Sequence, residues 1–159
     1  MMKNKLANKF RIILLLGGIV LLSACATMNM IYPPFTDLNF KAAPELNPDL
    51  KGRPSPVVVK IYELGSRTIF DGSDFFVLYE KPQTVLKGDL LSKDELEFRP
   101  GQQSTHRLTL NKGTKYIGLI VAYRDISNSR WRAVIPADAD GHDKLDVYLE
   151  KLSIYIKEK

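Results

Sequence analysis

Apolar and polar side chains alternate in several short runs of this chain, and that period of two constrains its fold more than any other feature. Leu96 and Phe98 alternate with Glu95, Glu97 and Arg99; Leu108 and Leu110 alternate with Arg107 and Thr109; Trp131, Ala133 and Ile135 share a parity that Arg132 does not. Successive side chains of a strand point to opposite faces, so these runs read as strands with one buried and one wet face. Tyr116 to Tyr123 is almost wholly apolar and lies between Gly113 and a polar run from Arg124 to Arg130, which predicts a central strand. Val57 to Leu64 is a second such candidate. Near the C-terminus, Leu145, Val147 and Leu149 share one parity, and Leu152, Ile154 and Ile156 the other. A bulge or turn around Glu150 and Lys151 must therefore separate two strand segments.

The segment from Ser66 to about Glu80 departs from this pattern. Phe75, Leu78 and Tyr79 fall at i, i+3 and i+4 behind the capping candidates Asp71 and Ser73, which predicts a short helix that ends before Pro82. Several short antiparallel strands with one helical insertion predict an all-β, two-sheet sandwich. Each large apolar side chain buried there contributes about 1.5–3 kcal/mol, so the core can form without disulfides, metal or cofactor.

The first 24 residues read differently from the rest. They hold a basic start, with Lys3, Lys5, Lys9 and Arg11, and an apolar run from Ile12 to Leu22. At 11 residues that run is short beside the roughly 20 needed to span a bilayer, as expected of a cleaved export signal. Leu22-Ser23-Ala24-Cys25 resembles the lipobox of bacterial lipoproteins, which implies cleavage before Cys25 and attachment of a diacylglycerol and an N-acyl chain to that residue. Several acyl chains make a durable anchor, at about 0.8 kcal/mol per buried methylene. Ala26, where such proteins carry Asp for inner-membrane retention, implies by the same resemblance an outer-membrane location facing the periplasm. Residues 25–34, ending in Pro33 and Pro34, read as a tether, and 35–159 as one periplasmic domain. Setting the four N-terminal cations aside reduces the 23 basic side chains to 19, against 18 acidic ones. A nearly neutral domain lacks the positive field that nucleic acid binding requires.

Residues able to carry chemistry are sparse. His106 and His142 have no second histidine or cysteine at metal-ligand spacing. Ser104 with His106 is a weak hydrolase candidate, and no Gly-x-Ser-x-Gly elbow accompanies it. Asp138, Asp140 and Asp143 around Gly141 suggest calcium only loosely and read more simply as a solvated turn. The pattern argues for a noncatalytic binding or structural module.

Two stretches then specify more: Asn47-Pro48-Asp49 followed by the run from Gly52 to Leu64, and Phe70 followed by the run from Asp74 to Tyr79. With Asp89-Leu90-Leu91, Pro100-Gly101, the run from Val121 to Asp125 and Trp131-Arg132, they resemble the type VI secretion lipoprotein family, TssJ, SciN or VasD. The resemblance covers most of the chain after Asp37. It implies a transthyretin-like β-sandwich with a helical addition, anchored in the outer membrane. The implied partner is the periplasmic C-terminal part of TssM, the IcmF-like inner-membrane protein. It also associates partner contact with the loop between the first two strands, here about Lys41 to Pro56. That loop holds Pro44, Pro48, Pro54 and Pro56, which limit its unbound conformations. Leu46, Asn47, Pro48, Asp49 and Leu50 are expected at its contact tip, with Leu46 and Leu50 as apolar anchors and Asp49 fixing register. Alternatively, proline-rich turn chemistry only routes the chain between strands. A lipoprotein that binds a small ligand or cell-wall component inside its sandwich, or a lipoprotein hydrolase, are the other readings of the whole chain.

Overall fold

The computed structural model describes residues 33–158. The export signal, Cys25 and the tether up to residue 32 lie outside the described residues. Eight strands form two four-stranded sheets. The first has the order β4 (Gln103–Leu108), β1 (Phe35–Ala42), β7 (His142–Leu149), β8 (Ile154–Glu158). The second has the order β3 (Leu90–Phe98), β2 (Val57–Leu64), β5 (Tyr116–Val121), β6 (Arg132–Pro136).

Side-chain parity builds the core between the sheets. Leu38 and Phe40 of β1 and Val147 and Leu149 of β7 meet Val57, Val59 and Ile61 of β2 and Ile117, Leu119 and Val121 of β5. The outward face of β1 is polar, and there Asp37 accepts hydrogen bonds at 2.7 and 2.8 Å from the guanidinium of its cross-strand neighbour Arg107. The expected antiparallel pattern holds for every pairing of these strands except one. β1 runs parallel to β7, with Leu38 opposite Leu145 and Phe40 opposite Val147. Long connections separate the two, as a parallel pair requires. The parity switch near the C-terminus is the turn between β7 and β8.

The helical segment is longer and more broken than its periodicity suggests. It comprises α1 (Thr68–Gly72), α2 (Phe75–Glu80) and α3 (Pro82–Leu86), then a 3-10 turn at Lys87–Asp89. Asp74 occupies the N-cap of α2, whereas Ser73 donates its hydroxyl to Ile69 and Asp71 pairs with Arg67. α2 ends at Glu80, as expected ahead of Pro82, but Pro82 does not end the helical region. It opens α3, because a first-turn proline loses no intrahelical hydrogen bond. These helices cover the outer face of the second sheet, where Tyr62, Leu64 and Ile120 pack with Phe70, Phe75, Leu78 and Leu86. β2 and β5 are thus apolar throughout because one face meets the opposite sheet and the other meets helices. Tyr62 fixes α2 by donating its buried hydroxyl to the Leu78 carbonyl at 3.0 Å. Gly118 makes room for the Phe70 ring, which a Cβ there would approach to 2.7 Å. Phe76 on the outer side of α2 remains 62% exposed.

Strand directions sort the connections between the two ends of the sandwich. The chain joins it at Phe35, beside His142 and near Leu108. The β1–β2, β3–β4, β5–β6 and β7–β8 connections all lie at the other end.

Candidate functional site

The β1–β2 connection is a stapled finger. It begins where the backbone N–H of Ala43 meets the Leu149 carbonyl at 2.8 Å, and Leu46 then drops into the core with no exposed surface. Leu46 is therefore not the contact anchor its position suggested. A leucine at the base of a long loop gains about 1.5–3 kcal/mol by joining the core, and Leu46 serves there to hold the finger down. Asn47 is also buried, with its backbone at φ +48°, a region asparagine tolerates better than most residues. Its amide donates to the Pro56 carbonyl at 2.7 Å and its oxygen accepts the Arg124 backbone N–H at 2.8 Å. Its own backbone N–H reaches the Lys151 carbonyl at 2.9 Å. One asparagine thus joins the finger to the β5–β6 and β7–β8 connections, and it is buried there rather than presented at a tip.

Beyond Asn47 the chain makes a closed turn. Asp49 accepts the backbone N–H groups of Lys51 and Arg53 at 2.8 and 2.9 Å on one carboxylate oxygen, and the Arg53 guanidinium on the other at 2.7 Å. The Gly52 N–H returns to the Asp49 carbonyl at 2.8 Å, with Gly52 at φ +77°. These donors, the Arg53 backbone and side chain first, lower the Asp49 pKa. Asp49 was expected to set register with a partner, but its carboxylate is spent on the turn itself. What the turn presents is Leu50, which is 107% exposed.

Leu50 and Pro48 border an open groove of ≈ 820 Å³. Lys51, Arg53, Arg124 and Leu152 border it too, together with Asp125, which caps the turn at Ile126–Asn128 by accepting the Asn128 N–H at 3.2 Å. Of the expected tip residues, Pro48, Asp49 and Leu50 border this groove, while Leu46 and Asn47 are buried beneath the finger. Lys51 and Arg53 fall within the expected loop, whereas Arg124 and Leu152 were not anticipated. No local pattern marks those two, because only the strand order brings their connections beside the finger.

The other candidates are placed as follows. His106 lies 3.0 Å from the Asp94 carboxylate, and Ser104 stands on β4 opposite Phe40. His142 packs edge-on against Phe35. Asp138 accepts the Asp140 backbone N–H at 2.9 Å, a local turn. Among the described residues no three His, Cys, Asp or Glu side chains are grouped to hold a metal ion. Trp131 packs edge-on against Phe75 of α2, and the Arg132 guanidinium lies 4.7 Å from its ring centroid.

A sandwich with a hydrogen-bonded finger carrying an exposed apolar side chain at one end is a rigid scaffold that displays a loop. The family model described as type VI secretion lipoprotein, VasD, EvfM, TssJ matches residues 35–152, and the chain belongs to that family. Among solved structures, the T6SS lipoprotein TssJ1 from Pseudomonas aeruginosa is 34% identical, with TM-score 0.77, over 80% of this chain and 97% of that one. Serratia marcescens Lip, described as a membrane-bound component of the type VI secretion system, matches in fold at TM-score 0.73 and 23% identity, over 80% of this chain and 98% of that one. A structure described by the TssM C-terminal domain from EAEC contains a chain that matches in fold at TM-score 0.63 and 22% identity, over 79% of this chain and 98% of that one. Comparison with curated proteins gives no match.

Proposed function

We propose that this lipoprotein anchors the periplasmic C-terminal part of a TssM protein to the outer membrane. In this reading residues 1–24 are removed, Cys25 carries the acyl chains, and residues 25–34 tether the sandwich to the bilayer. The work is noncatalytic: binding at the finger fixes one membrane protein relative to another membrane.

The observation that carries this reading is the placement of the two attachment points. The tether joins β1 at Phe35, and the finger leaves β1 after Ala42, at the opposite end of the sandwich. Eight residues of strand separate them by roughly 26 Å at about 3.3 Å per residue. The finger that carries Leu50 thus leaves the sandwich at the end opposite the start of β1. The match to a chain of this domain's size in a structure described by a TssM domain supports the same partner.

The ligand-binding alternative has less support. Leu38, Phe40, Leu119 and Val147 are among the side chains that fill the space between the sheets, so a ligand inside would have to displace them. The test is a pull-down of the domain against detergent-solubilised envelope of its own bacterium, with bound proteins identified by mass spectrometry. Recovery of an IcmF-like protein supports the reading; a folded domain that never recovers one contradicts it.

A further inference from the structure

The charges around the finger carry a more specific conclusion. Three cations border the groove beside Leu50: Lys51, Arg53 and Arg124. Two carboxylates border it as well: Asp49, which pairs with Arg53, and Asp125, which accepts hydrogen bonds from the neutral Asn128 and keeps its charge. Among the described residues, neither the Lys51 ammonium nor the Arg124 guanidinium is in an ion pair, and both side chains are exposed. The groove lining thus carries three cations against two carboxylates, a net charge of +1, with the exposed Lys51 and Arg124 beside an apolar side chain that the Asp49 turn holds out in solvent. They come from different connections, so the fold and not the local sequence sets them side by side.

From this charge pattern we infer that the finger recognises an acidic segment of its protein partner, with an apolar recess that receives Leu50 and carboxylates that meet Lys51 and Arg124. This rests on the anchoring reading above and adds the chemistry of the surface it meets. Exposed charges at the margin of an interface act mainly on encounter, raising the association rate within a screening length of about 8 Å at physiological salt. The buried apolar anchor acts mainly on dissociation. Anionic lipid offers the same charge, and vesicle binding in the test below distinguishes it.

The test uses the full-length protein purified from membranes in nonionic detergent, with the periplasmic C-terminal part of its TssM partner. Association and dissociation rates are measured from low to high salt for the wild type, Lys51→Glu, Arg124→Glu and the double variant. The inference expects the wild-type association rate to fall steeply with salt. It expects the double variant to associate about 10-fold or more slowly at low salt, with a flattened salt dependence and a dissociation rate within about twofold of wild type. Lys51→Gln should fall between wild type and Lys51→Glu. Salt-independent binding that both reversals leave unchanged overturns the inference and leaves the anchoring reading standing. Absence of wild-type binding at any salt overturns both. Binding to phosphatidylglycerol vesicles that the reversals abolish, with partner binding unaffected, assigns the cations to lipid and overturns the inference.

Discussion

The side-chain oxygen of Asn47 accepts the backbone N–H of Arg124 at 2.8 Å, tying the finger to a connection 77 residues further along the chain. Because the same side chain holds the Pro56 carbonyl, Asn47→Ala removes two hydrogen bonds and places alanine at φ +48°. Unpaired buried groups cost about 1–3 kcal/mol, and the backbone strain adds to that. Asn47→Gly relieves the strain but not the lost bonds, so denaturant unfolding should place its stability between wild type and Asn47→Ala. Both variants should also weaken partner capture by loosening the finger.

Leu46 and Leu50 lie four positions apart and should respond in opposite ways. Leu46→Ala should destabilise the domain by about 2–5 kcal/mol, as truncation of a core leucine does. Leu50→Ala should leave the denaturation midpoint within the small range of surface substitutions, about 0.5 kcal/mol. Denaturation curves for the two proteins separate core from contact directly.

Their identical residue type explains why the sequence alone misassigned Leu46. A hydrophobic residue in a proline-rich loop reads the same whether it anchors the loop or a partner, and only the tertiary fold decides. The strands were legible because burial against a sheet enforces parity: β2 runs from Val57 to Leu64 as expected, and the parity switch after Leu149 marked the last turn. The parallel pairing of β1 with β7 was not legible, since it joins residues 107 positions apart through no local signal. The end of α2 before Pro82 was legible, whereas α3 was not, because a proline that follows one helix can also start the next. Arg124 and Leu152 joined the site only through strand order, and no periodicity reports that.

Gly118 lies on the outer face of β5 beneath Phe70 and beside Leu64, both packed against it from above. Gly118→Ala pushes a methyl group into the ring and should cost about 1–3 kcal/mol through overpacking. The companion variant Phe70→Leu opens the space that alanine needs. The double variant should therefore be more stable than the sum of the two single losses, which a double-mutant cycle in urea would measure.

Acid should loosen the finger. Asp49 has its pKa lowered from the ordinary 3.8 by the Arg53 hydrogen bonds, and Asp37 by its hydrogen bonds from Arg107. A depressed carboxylate contributes stability that is fully present above the unfolded value and is lost as pH falls through the folded one. Stability should thus be insensitive to these two groups above about pH 5 and fall below pH 4. Asp49→Asn should remove part of that acid dependence without changing the midpoint slope at neutral pH, as thermal unfolding across pH would show.

In the proposed anchoring, Leu50, at the end of the sandwich opposite the start of β1, carries the contact with the TssM partner. Titration calorimetry of the domain against the partner's periplasmic C-terminal part, comparing wild type, Leu50→Asp and Phe76→Asp, tests it most directly. Phe76 is the control because it is an exposed apolar side chain on the helical insertion. The account predicts that Leu50→Asp weakens binding by at least about 30-fold, the loss of a residue worth about 2 kcal/mol, while Phe76→Asp binds as wild type. Wild-type affinity in a folded Leu50→Asp protein, with binding lost instead in Phe76→Asp, would contradict it and move the contact to the helices.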